Sequence, residues 1–114
     1  MSQLAELERL LGDGATLITD PDITRSYSRD QAPFAESAPP KAVLLAKNAE
    51  QISIALKFAH EKKIPVVTRG AGSGLAGGAN STADSIVISL EKMNRIINID
   101  SANLIARVEA GVIN

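Results

Sequence analysis

The chain has no cysteine. That excludes a disulfide framework, a thiolate nucleophile and a thiolate-bound metal, and it fits a reducing compartment. Aromatics are almost as scarce. Tyr27, Phe34 and Phe58 are the whole set, too few to interleave with a basic stripe, so sequence-directed binding of nucleic acid is not expected. The net charge of −1 at neutral pH leaves that reading unchanged. No apolar run approaches the ~18 residues that a membrane helix requires. Glu6 and Glu8 stand where a secretory leader would be basic, so a cytoplasmic chain without a transmembrane segment is expected. Asn80-Ser81-Thr82 then reads as loop chemistry and not as a glycosylation acceptor. The one histidine, His60, lies among Glu61, Lys62 and Lys63 and reads as a solvated helix-end residue. Glu50, Asp84, Glu91 and Asp100 fall singly at caps and turns, which yields no carboxylate pair and no metal constellation.

What the chain does have is glycine in one place. Five of its eight glycines fall within nine residues of the run Arg69-Gly70-Ala71-Gly72-Ser73-Gly74-Leu75-Ala76-Gly77-Gly78-Ala79. This run follows the strand-like Ile64-Pro65-Val66-Val67 directly. Glycine permits positive φ and carries no Cβ, so successive N–H groups can converge into an anion-binding concavity. A plain turn needs only about 2–5 residues, and ordering a longer bare loop costs backbone entropy that its few side chains cannot offset. The expected guest is a phosphate or pyrophosphate.

The type of phosphate site follows by elimination. Gly72-Ser73-Gly74-Leu75-Ala76-Gly77 matches the dinucleotide fingerprint G-x-G-x-x-G, but the residues up to Asp84 show no apolar stripe of helical period. A Rossmann crossover helix therefore has no room. A Walker-type loop fails because Ala79, not lysine, follows the last glycine. The remaining arrangement is a glycine loop that joins two strands without a covering helix and cradles a pyrophosphate through backbone amides. Arg69 either adds charge to that cradle or is a solvated strand-end side chain.

The surrounding elements are expected as follows. Ser2 caps a short helix bearing Leu4, Leu7 and Leu11 on one face, ended by Gly12 and Gly14. Leu17-Ile18-Thr19 forms a short strand, and residues 22–40 read as an irregular connector in which Tyr27-Ser28-Arg29-Asp30 either is a surface turn, the favoured reading, or contacts a ligand. Ala42-Val43-Leu44-Leu45-Ala46 suits a buried strand. Asn48 and Gln51 open a helix to about Lys63 whose core stripe is Ile52, Ala55, Leu56 and Ala59. Pro65 ends helix and begins the next strand, so the β-α-β unit delivers the glycine loop at a carboxyl strand end, where open α/β sheets bind ligands. Three short strands follow over residues 86–90, 95–99 and 104–109; the last two are joined by a hairpin turn, which makes the sheet mixed. At 114 residues the chain is one domain at most. Its expected class is α+β (α/β).

The strand at residues 42–45, the helix, the run from Ile64 to Gly78 and the segment Arg107-Val108-Glu109-Ala110-Gly111-Val112 together resemble the FAD-binding domain of the p-cresol methylhydroxylase and vanillyl-alcohol oxidase family. The branch it most resembles holds the FAD-linked subunit of glycolate oxidase and the D-lactate dehydrogenases. The resemblance covers residues 19–114. It implies that FAD is the cofactor and that the loop bearing Arg69, Gly70, Ala71, Gly72, Ser73, Gly74, Leu75, Gly77 and Gly78 wraps its pyrophosphate. It also implies that Gly111 belongs to a strand end near the flavin. Residues 1–36 are then an N-terminal helix and connector, and residues 37–114 the N-terminal part of the FAD-binding domain of PCMH type.

Two departures from the family pattern stand out. Ala46 occupies a position where such domains carry a proline, and the family's second subdomain and substrate-binding domain would lie beyond Asn114, together with its catalytic residues. None of those can be carried onto this chain. The expectation is an N-terminal piece of an FAD-dependent oxidoreductase acting on a 2-hydroxy acid, with the rest of the flavoenzyme or a partner subunit completing it. A pyrophosphate-binding module without redox chemistry and an inactive truncated fragment are the alternatives.

Overall fold

The computed structural model describes residues 2–114. Helix α1 (Gln3–Leu11) begins at Ser2, whose Oγ accepts from the Ala5 N–H at 3.2 Å, and stops at Gly12, where φ is 79°. Leu7 and Leu11 on its inner face are buried. Strand β1 (Thr16–Ile18) follows. The expected connector is partly helical: α2 (Pro21–Thr24) starts from an Asp20 cap and runs into a 3-10 turn at Arg25–Tyr27. Proline at the first helical position and an aspartate before it are sufficient to nucleate such a turn.

Strand β2 (Ala42–Leu45) leads into α3 (Ala49–Lys62). Asn48 Oδ1 accepts from the Gln51 N–H at 2.9 Å, and Gln51 Oε1 accepts from the Lys47 N–H at 2.9 Å. The Gln51 amide also donates to the Gly14 carbonyl at 3.3 Å, so the helix cap doubles as a clamp on the turn after α1. Lys63 in the left-handed region (φ 56°) closes the helix ahead of Pro65. The core stripe differs from expectation at one turn. Leu56 is 45% exposed, whereas Phe58 is buried with Ala55 and Ala59. The face is set by which side meets α1 and the sheet, and period alone cannot choose between two adjacent apolar stripes.

The main sheet has the order β1-β2-β4-β3, with β3 at Val66–Arg69 and β4 at Ile86–Ser89. Strand β4 pairs in parallel with β2 on one side and β3 on the other, and all four of its residues are buried. Strand β1 is antiparallel to β2, which makes the sheet mixed. The Ala46 N–H donates to the Ser89 carbonyl at 3.0 Å, a bond that a proline there could not make. No helix lies between β3 and β4; residues 70–85 are the whole crossover between these parallel neighbours.

Strands β5 (Ile96–Asp100) and β6 (Ile105–Val108) form an antiparallel hairpin, as expected, but as a separate two-stranded sheet. The mixed character therefore comes from β1 and not from this hairpin. Its turn is fixed by Asp100, whose Oδ1 and Oδ2 accept from the Asn103 backbone at 3.1 Å and side chain at 2.8 Å. Among the described residues no helix is long and apolar enough to cross a membrane.

Burial separates the two helix faces sharply enough to test. Ile88→Ala in the fully buried β4 should lower unfolding stability by about 2–5 kcal/mol, the range for a large-to-small core substitution. Leu56→Ala should stay within about 1 kcal/mol because half of that side chain already meets water. Urea unfolding followed by circular dichroism measures both, and equal losses would return Leu56 to the core.

Candidate functional site

The glycine loop leaves β3 at its carboxyl end, beside the carboxyl end of β4. Among the described residues, no backbone N–H from residue 70 to residue 78 donates to another group of the chain. The carbonyls behave differently. Gly74 O accepts from the Gln31 N–H at 2.9 Å, and Gly77 O accepts from the Asn80 N–H at 3.1 Å. Two engaged carbonyls and a full set of free N–H groups leave the loop able to turn donors toward an anion. Gly72 (φ 72°) and Gly77 (φ 79°) hold the left-handed conformations that this path requires. Gly70 and Gly78 have open space where a Cβ would stand. These features fit an approaching pyrophosphate.

Arg69 is the only charged residue between Ile64 and Ala83. Its Nη1 donates to the Arg29 carbonyl at 2.8 Å, and its guanidinium lies 5.8 Å from the centre of the Tyr27 ring. The same guanidinium fills the space where a Cβ on Gly72 would be. Arg69 thus braces the loop, with its charge held beside Gly72.

A cleft of about 620 Å³ opens beside the first part of the loop. Arg69, Gly70, Ala71 and Gly111 line it, together with Tyr27, Glu91, Asn94, Val112 and Ile113. That volume lies within the usual range for small-molecule sites, about 300–1,000 Å³. Gly72, Ser73, Gly74, Leu75, Gly77 and Gly78 lie outside its lining, on the limb that turns back toward the connector. Gly111 is not in a strand, since β6 ends at Val108. It sits in the turn beyond, its N–H donating to the Met93 carbonyl at 2.8 Å. Any Cβ there would overlap the Leu90 carbonyl oxygen, so only glycine lets this backbone close one side of the cleft.

The segment read as a surface turn is instead part of the site. Ser28 and Asp30 are buried, and the Tyr27 hydroxyl donates to Glu91 Oε1 at 2.7 Å. This bond ties the connector to the turn after β4, across 64 residues of chain, a distance over which no local pattern carries information. Glu91, Asn94, Val112 and Ile113 were therefore not legible as cleft residues, whereas Tyr27 was legible only as the less favoured alternative to a surface turn. The one available signal was a lone tyrosine in a polar stretch. Among the described residues no group of histidine, cysteine, aspartate or glutamate is arranged to hold a metal.

The hydrogen bond to Glu91 holds the Tyr27 phenol above the usual tyrosine range, helped by burial and by the Glu91 charge, while Arg69 pulls the other way. A phenol with a raised folded value stabilises the fold fully below its unfolded value, about 10, and that contribution is lost as pH rises through the folded value. Tyr27 is the only tyrosine and the chain has no tryptophan, so phenolate absorbance reports it alone. Alkaline titration should show a midpoint above that of a free tyrosine, and Glu91→Ala should bring it down. A midpoint that Glu91→Ala leaves in place would show that the contact is not formed in solution.

Residues 40–114 match the family model described as FAD binding domain. The chain is 34% identical over 92 residues to D-lactate dehydrogenase of Anaerostipes hadrus, covering 81% of this chain and 19% of that protein. It is 40% identical over 87 residues to glycolate oxidase subunit GlcD of Bacillus subtilis (strain 168), covering 76% and 18%. Among solved structures, p-cresol methylhydroxylase with substrate bound superposes with a TM-score of 0.78 at 30% identity, covering 96% of this chain and 22% of that one. The chain thus spans about a fifth of the length of these relatives. With a family model matching most of its length and a free-amide glycine loop at the end of β3, the chain belongs to the FAD binding domain family, and its cofactor is FAD.

Proposed function

We propose that residues 37–114 are the N-terminal part of a PCMH-type FAD-binding domain, preceded by a helix and connector at residues 1–36. In this reading the N–H groups of residues 70–78 hold the FAD pyrophosphate, and Arg69 supplies the cation. The contacts run through Arg69, Gly70, Ala71, Gly72, Ser73, Gly74, Leu75, Gly77 and Gly78, with Gly111 closing the cleft nearer the flavin. The observation that carries this is the set of backbone donors left without partners at a carboxyl strand end. Amides left free at a strand end can converge on an anion, and a pyrophosphate offers several oxygens in one small volume.

FAD, when bound, supplies electron-accepting chemistry that no side chain here provides. The chain's own contribution is to bind and orient. The amides neutralise phosphate charge without a lysine, and Tyr27 keeps the Arg69 guanidinium beside the loop. The names of the relatives, D-lactate dehydrogenase and glycolate oxidase subunit, support a small 2-hydroxy acid as the substrate of the whole flavoenzyme. Its setting is cytoplasmic, and its remaining parts or a partner subunit supply the substrate-binding and acid–base groups.

The test is an amide-resolved titration of the 12.0 kDa chain with FAD by nuclear magnetic resonance. Saturable shifts should appear at the amides of residues 70–78. Arg69→Ala should weaken binding by about 1–3 kcal/mol, the loss of one charge-assisted hydrogen bond. Gly74→Val, at a position without positive φ and with 3.6 Å between its Cβ site and Asp30 Oδ2, should keep the fold and lose affinity. Shifts confined to other residues, or none, would overturn the pyrophosphate assignment.

A further inference from the structure

Asp30 is the most deeply buried acidic side chain among the described residues, 4% exposed, and neither ion pair of the structure includes it. Burying a carboxylate without a cation is unfavourable unless hydrogen-bond donors surround it. Its donors are backbone amides. Oδ1 accepts from the Ala32 N–H at 2.8 Å and Oδ2 from the Ala79 N–H at 3.4 Å, just past the last glycine of the loop. The Asp30 N–H donates in turn to Asn80 Oδ1 at 2.7 Å, and the next residue, Gln31, donates to Gly74 O. Asp30 therefore sits inside the far limb of the glycine loop, held by the same kind of amide field that faces outward from the near limb.

We propose that Asp30 is a positioning residue, a resident internal anion that fixes residues 74–80 so that the free amides of the loop stand in binding geometry before any cofactor arrives. The inference rests on the pyrophosphate reading of the loop for its consequence, but not for its geometry. Flanking contacts give it support from both sides. The Ser81 N–H donates to the Ser28 carbonyl at 2.8 Å, and Arg69 Nη1 donates to the Arg29 carbonyl, so both ends of the loop are tied to the segment that carries Asp30. A loop fixed in advance loses less conformational freedom on binding, and the affinity rises by that saving.

Hydrogen exchange of the full chain, read amide by amide, tests this. In Asp30→Ala, exchange at Ala79 and Asn80 should rise by about tenfold or more, as expected for losing a hydrogen bond to a charged acceptor. Val87 in β4 should keep its protection. Formate added to that variant should restore the Ala79 protection, because it returns a carboxylate to the vacated space, whereas equal sodium chloride should not. Should Asp30→Ala fail to fold, Asp30→Asn serves in its place. Its single acceptor oxygen cannot satisfy both amides, so Ala79 or Ala32 should lose protection. Unchanged exchange at these amides in either variant, or in Asp30→Ala a rise that formate does not reverse, would overturn the proposal. With FAD as probe, Asp30→Ala should bind about tenfold more weakly than the parent chain. Failure of the parent itself to bind FAD would strike the pyrophosphate reading of the loop and leave the exchange result standing.

Discussion

The glycine loop can keep its N–H groups free only because something else holds its shape. A stretch with so few side chains cannot pack itself, and backbone left without partners favours the unfolded ensemble through its entropy. In this protein the holding is done from outside the loop, by the connector at residues 27–31. Arg29 and Ser28 offer carbonyls to Arg69 and Ser81, Gln31 gives its N–H to Gly74, and Asp30 faces Ala79 and Asn80. Two of the loop's carbonyls, those of Gly74 and Gly77, are engaged, while none of its N–H groups is. In the proposed reading those free donors are what an anion meets.

The sheet order has the same purpose. With β4 inserted between β2 and β3, the strand that precedes the loop and the strand that follows it lie side by side, so both ends of the loop are anchored on adjacent hydrogen-bonded strands. Helix α3 takes the crossover from β2 to β3 and, through Phe58, Ala55 and Ala59, covers the sheet. The crossover from β3 to β4 is thereby left without a helix. In a dinucleotide fold of Rossmann type that second crossover would carry the phosphate-binding helix and its dipole. In the proposed reading, amides in irregular backbone and one arginine take the place of that helix terminus.

Gly111 shows how a position far from the loop enters the same site. The turn beyond β6 packs directly against the carbonyl of Leu90, and the absence of a Cβ permits that approach. The hairpin is thus joined to the main sheet at a place that also lines the cleft, so cleft width and hairpin position are coupled. Ile99, Leu104 and Ile105 of the hairpin remain open to solvent, in contrast with the fully buried β4.

Much of this was fixed by the amino-acid order alone. Helix caps at Ser2 and Asn48, the helix stop before Pro65, the strand at residues 86–89 and the hairpin over residues 96–108 are local events, decided by side chains within a few residues of one another. The lack of a crossover helix after the glycines was legible for the same reason. What the sequence could not disclose were contacts between segments remote in the chain. The Tyr27 to Glu91 bond, the burial of Asp30 beneath the loop, the exposure of Leu56 in place of Phe58 and the separation of the hairpin from the main sheet all depend on which surfaces meet. Backbone and capping preferences act over one turn of chain, whereas burial and long-range hydrogen bonds are assigned only when the whole chain has packed.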